Sequence, residues 1–192
     1  MTGFYVFEPT LGAKLLELLK EIAPHVTRVA ILSNQLARPG SWTAYAVYAA
    51  DAAPRFGVEL VEVPVRDSSE LEAAMDKWGR DPNFGVIVIP DPATNAHRKL
   101  INELATRYRL PVIHALRAGA AEGGLLSYGV NLPNLFRQAA VYADRILKGE
   151  KPSDLPVQAP TKYELAINLR TAKALGMTIP QSLLATADDV IE

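Results

Sequence analysis

The chain has 192 residues, 49% of them hydrophobic, a formal charge of −1 and no cysteine. That length buries one good core, or one core plus an extension. A near-neutral charge without a basic cluster argues against nucleic acid as a main partner, and the lack of cysteine excludes disulfides and thiolate chemistry.

Residues Met1–Pro9 read as irregular or extended. No basic segment followed by an apolar core opens the chain, so no signal peptide is read there, and no run approaches the ~20 apolar residues of a membrane span. Leu11–Ile22 reads as an amphipathic helix: Leu11, Leu15, Leu18, Leu19 and Ile22 form one stripe, Thr10 is the candidate cap and Pro24 the stop. Arg28–Leu32 is a short aliphatic run of the buried parallel type. The polar loop Ser33–Gly40 follows. Ser41 is the candidate N-cap of a helix closed by Gly57, and Val58–Val65 is the next strand. This is a βαβ unit, which implies a right-handed crossover in a parallel sheet.

The unit then repeats. The stretch Asp67–Ser68–Ser69 caps a helix near Glu70–Trp78, with Glu70 placed for a capping box if Asp67 is the cap, and Phe84–Ile89 is the third strand. Thr94 or Asn95 caps a helix ending near Tyr108. Pro111–Ala115 is a fourth strand, Ala118–Gly124 a flexible or helical turn, and Leu125–Tyr128 a fifth strand. The expected fold class is α/β: a three-layer sandwich with a five-stranded parallel sheet, flavodoxin-like in order, 2-1-3-4-5. Residues 3–129 form this lobe, and 130–192 form a helical and extended tail. In the tail, Leu132–Leu147 is a long helix, Pro152, Pro156 and Pro160 mark an extended connector, and Tyr163–Leu169 is a candidate strand. Thr171–Leu175 and Gln181–Ile191 close the chain as helices.

The sequence holds no GxxxxGK[ST], GxGxxG after a strand, GxSxG or HExxH. No nucleophile–base pair, metal-ligand spacing or cofactor motif is evident, so no catalytic residue, metal or cofactor is assigned. In a parallel sheet three post-strand loops converge and bring Asn34, Gln35, Ser41, Asp91, Thr94, Asn95, Ser127, Tyr128 and Asn131 to one edge. His114 stands at a strand's carboxyl end. Trp42, Tyr45 and Tyr128 offer aromatic walls, a helix start at Ser41 suits a carboxylate, and Asp91 suits an ammonium group. Each residue also has a plainer explanation. Ser41, Thr94 and Asn95 serve equally well as local caps, Trp42 and Tyr45 as core, and His114 as a structural or pocket-lining histidine. Hydrogen-bonding groups of both signs without a nucleophile–base pair describe binding rather than catalysis.

Three stretches carry a resemblance to a known family: the opening TGFYVFEPTLGAKLLELLKEIAP, then RVAILSN, and the tail with ILKGEKPSDLPVQ and INLRTAKALGMTIP. The chain resembles the C-terminal part of bacterial ABC-transporter substrate-binding proteins of the tryptophan/tyrosine type. The resemblance implies a lobe of a type I periplasmic-binding-protein-like fold, a small organic solute such as an amino acid or related carboxylate, and an ABC permease as partner. It implies a periplasmic or lipoprotein-anchored location, with a signal and a first lobe preceding Thr2. Taken as complete, the chain reads as a cytoplasmic protein. The helix Leu132–Leu147 and the segment Tyr163–Leu169 would pack partly on the first lobe. Their apolar faces then need another cover, which predicts a homodimer or larger homo-oligomer. The competing readings are a flavodoxin-like regulatory or interaction module and a small α/β enzyme using His114 or Asp91.

Overall fold

A computed structural model gives the fold and describes residues 1–34 and 44–192. Helix α1 (Leu11–Ile22) leads into β1 (Arg28–Ser33), then α2 (Ala44–Phe56), β2 (Glu59–Pro64), α3 (Ser68–Trp78) and β3 (Phe84–Val88). Next come α4 (Pro92–Ala96), α5 (Arg98–Tyr108), β4 (Val112–His114), α6 (Arg117–Ala121) and β5 (Leu126–Val130). The tail supplies α7 (Leu132–Leu147), β6 (Tyr163–Asn168), α8 (Leu169–Leu175), α9 (Gln181–Thr186) and β7 (Asp189–Ile191).

One sheet runs in the order β2-β1-β3-β4-β5-β6-β7. The first five strands pair in parallel in the expected order. Their side chains alternate between two cores. Val29, Ile31, Ile87 and Ile113 meet Leu15, Leu19, Tyr45 and Ala49 from α1 and α2 on one face. Ala30, Leu32, Val86 and Val112 meet Leu71, Met75, Ile101 and Leu104 from α3 and α5 on the other. This is the three-layer arrangement that burying both faces of a parallel sheet demands.

The sheet departs from expectation in its tail. It has seven strands among the described residues, not five. Strand β6 pairs antiparallel with β5, from Leu126↔Ile167 to Val130↔Tyr163, and β7 pairs in parallel with β6. The expected closing helix therefore stops at Thr186, and Asp189–Ile191 is a strand. Leu165, Ala166 and Ile167 are buried against the chain's own lobe. That corrects the expectation that Tyr163–Leu169 would need a cover from elsewhere, because the edge of β5 supplied an unfilled hydrogen-bond ladder that this segment completes. Helix α7 is different: only Leu135 is buried. It also meets the N-terminal arm, where Phe4 packs edge-to-face on Tyr142 at 4.8 Å, and the connector, where the Tyr142 hydroxyl donates to Pro156 C=O at 3.1 Å. Gln158 holds that arm through Tyr5 N–H (3.2 Å) and Gly3 C=O (2.9 Å).

Candidate functional site

A cavity of about 450 Å³ opens at the carboxyl ends of β1, β3, β4 and β5, on the side of α1 and α2. A site there is expected, since strand ends and the loops leaving them form the crevice of an open α/β sheet. Its inner end is made by Leu11, Ser33, Tyr45, Ile89 and Ala115, all buried. Phe7 comes over from the N-terminal arm and meets Tyr45 edge-to-face at 5.3 Å. Burial pushes the Tyr45 phenol up, which keeps it neutral. Pro90, Pro92, Leu116, Val130 and Leu132 complete apolar walls. The polar lining among the described residues is Ser33, Asn34, Asp91 and Asn95.

Asp91 joins two of the loops. One carboxylate oxygen accepts the N–H groups of Ala93 (2.8 Å) and Thr94 (3.0 Å), and the other accepts Asn34 N–H at 2.8 Å from the end of β1. Asp91 is thus the N-cap of α4, in place of Thr94 or Asn95. The Thr94 hydroxyl closes the box from beneath, accepting Asp91 N–H at 3.3 Å and donating to Ile89 C=O at 2.8 Å. The helix breaks after Ala96, and α5 restarts at Arg98. A carboxylate offers about four acceptor positions. Three are used here, so Asp91 keeps capacity for one further donor at the cavity wall.

The other candidate residues disperse. Thr94 is buried under the loop and Asn95 is half-buried in the cavity wall. Tyr128 lies away from the cavity and stacks on Tyr163 with ring centroids 6.2 Å apart. Asn131 caps α7 through Asn134 N–H at 2.8 Å. Ser127 is buried on the opposite face of the sheet from Leu126. Gln35, Ser41 and Trp42 lie outside the described residues.

His114 is buried in the core. It is 2% exposed and turns towards α5, where its Nε2 lies 2.8 Å from Asn102 Oδ1. The Asn102 amide donates to Gly119 C=O and Glu122 C=O, both at 3.1 Å. Its oxygen is therefore the acceptor, and the network assigns the imidazole proton to Nε2. Burial above all, with the Arg98 guanidinium beside it, lowers the pKa to about 3, and Glu122 acts in the opposite direction. The backbone leaves room for the ring because residues 119 and 124 are both glycine; a Cβ at either would overlap the imidazole.

Among the described residues no His/Cys/Asp/Glu group could hold a metal ion, and no helix is long and apolar enough to cross a membrane. Sequence reasoning missed Phe7, Leu11 and Ser33 as cavity residues. Each looked like part of an irregular arm, a helix stripe or a loop start, and no local signal separates those roles from lining a site.

Residues 5–191 match the family model described as "ABC transporter substrate binding protein". A Vibrio cholerae O1 biovar El Tor structure, described as a conserved domain protein, is 27% identical with a TM-score of 0.80 over 98% of this chain and 62% of that one. A Streptococcus pneumoniae ABC domain in complex with L-Trp is 22% identical with a TM-score of 0.78 over 94% and 60%. The ligand-free, open structure of CD0873, a Clostridium difficile substrate-binding protein with adhesive properties, is 25% identical with a TM-score of 0.71 over 99% and 62%. The chain thus spans less than two thirds of the length of these solved relatives. No curated protein sequence matches it.

Proposed function

Because this chain belongs to the ABC transporter substrate-binding protein family, we propose that it is the solute-binding lobe of an ABC importer and takes a small organic solute, an amino acid or related carboxylate, at the cavity beside Asp91. The single observation that carries the reading is the cavity's composition. Apolar and aromatic walls surround one carboxylate, with no Lys or Arg lining it among the described residues. Such a surface favours a solute with an apolar body and an ammonium group, the ammonium donating to the remaining acceptor position of Asp91. An importer role implies delivery to a membrane permease and an extracytoplasmic location. A relative of the same fold is described in complex with L-Trp, so L-Trp heads the panel to be tested.

The test is isothermal calorimetry of the chain with the twenty L-amino acids, repeated on Asp91→Asn. Asparagine keeps an oxygen for the α4 cap and removes the charge. A charge-assisted hydrogen bond contributes roughly 1.5–3 kcal/mol, so the variant should bind about ten- to a hundredfold more weakly. Equal affinity in parent and variant removes Asp91 from the site. Heat-silent titrations across the whole panel, with no thermal stabilisation, reject the amino-acid reading.

A further inference from the structure

Ser33 ends β1 on the face shared by Val29 and Ile31, which belong to the core under α1 and α2. It lines the inner end of the cavity and is 1% exposed. Its hydroxyl is buried and has no hydrogen-bond partner among the described residues. A buried hydroxyl in that state is destabilising, because the hydrogen bonds it makes to water in the unfolded chain are not replaced. The half-buried polar residue nearest in role, Asp91, is engaged by three backbone N–H groups. The other buried residues that line the cavity, Leu11, Tyr45, Ile89 and Ala115, present mainly carbon.

We infer that Ser33 is a specificity-determining residue of this cavity, its hydroxyl reading a hydrogen-bonding atom on the buried and otherwise apolar end of the solute. The inference rests on the reading that the cavity is the solute site, and is independent of whether that solute is an amino acid. The solute then has three parts in order. A head group meets Asp91, an apolar or aromatic body lies along Phe7 and Tyr45, and one polar atom sits at the deep end. A site with such a fixed hydroxyl discriminates strongly against analogues that lack the atom, because the hydroxyl is again left unpaired.

The experiment uses phenol and toluene as probes of similar size, titrated into the full chain and into Ser33→Ala by heteronuclear NMR, with thermal melting of both proteins. The quantity read is the ratio of the two dissociation constants. It should favour phenol about tenfold more in the parent than in Ser33→Ala, the worth of one hydrogen bond. The unliganded variant should melt at the same or a higher temperature, since it loses only an unpaired polar group. An unchanged ratio overturns the inference. So does a lower melting temperature for Ser33→Ala, which would show a structural partner for the hydroxyl, and so does absence of shifts at cavity residues with either probe. A failed amino-acid panel together with a phenol-selective parent rejects the proposed solute class and leaves the role of Ser33 standing.

Discussion

Lowering the pH from 7 to 5 should cost the folded chain about 2 kcal/mol through His114 alone. The imidazole is buried, neutral and hydrogen-bonded to Asn102, with its pKa lowered by burial from 6.5 to about 3. In the unfolded chain the ring titrates near 6.5. Between those two values the unfolded state binds the extra proton and the folded state does not. The contribution is therefore fully present above pH 6.5 and is lost progressively as pH falls towards 3. At about 1.4 kcal/mol for each pH unit, the ceiling is ~5 kcal/mol, as large as the whole stability of a marginal domain. The assay is urea unfolding at pH 7 and pH 5 of the parent and of His114→Gln. Glutamine does not titrate, and its amide can still donate to Asn102 Oδ1. Carboxylates distant from the ring act in both proteins and cancel in the difference. The parent should lose about 2 kcal/mol more than the variant over this interval. Equal losses would refute the reasoning and show that the ring is charged, or solvated, in the folded state.

The remaining predictions concern packing, capping and association. Gly119→Ala places a Cβ inside the His114 ring and should cost about 1–3 kcal/mol; chemical denaturation should show part of that loss recovered in the His114→Ala background, since the two residues are in contact. Gly12→Ala drives a Cβ into the Tyr45 carbonyl across the α1–α2 contact, so a loss of about 1–3 kcal/mol should come with weaker solute binding as Tyr45 is displaced. Asp91→Ala, by removing the α4 cap and the tie to Asn34, should cost about 1–2 kcal/mol in unfolding experiments, and Asp91→Asn less. Phe136 (69% exposed) and Leu147 (88% exposed) lie on the same bare stripe of α7. Monomers rarely expose such stripes, so light scattering should find self-association at micromolar concentration that Phe136→Lys with Leu147→Lys abolishes.

The first five strands were legible because each is a short aliphatic run separated from the next by a segment of helical period; their order was an expectation from topology rules. The right-handed crossover leaves few ways to assemble such units. The same logic placed Asn34, Asp91 and Asn95 at one edge, since strand ends in a parallel sheet point the same way. Asp91 itself carried a usable signal: proline at the next position and threonine three residues on is an N-cap pattern, and it outranked Thr94 and Asn95. Strand β7 carried none. Asp189–Ile191 is three residues long, too short for a period, and only the free edge of β6 makes it a strand.

The sequence by itself determined the α/β class, the two-sided core and the edge of the sheet where a ligand can lie, because these follow from local periodicity and chain direction. Tertiary structure alone decided which polar residues face the cavity. Asn102 meets His114 across 12 residues of sequence, and Asn34 meets Asp91 across 57. Those pairings withdrew His114 into the core and fixed Asp91 at the wall. Ser33 and Ser127 are the same residue type near the ends of two parallel strands, and both hydroxyls are buried without partners among the described residues. Only the face each strand turns to α1 and α2 puts Ser33 in the cavity and Ser127 on the far side of the sheet, because a one-residue change of register reverses which side chain points where.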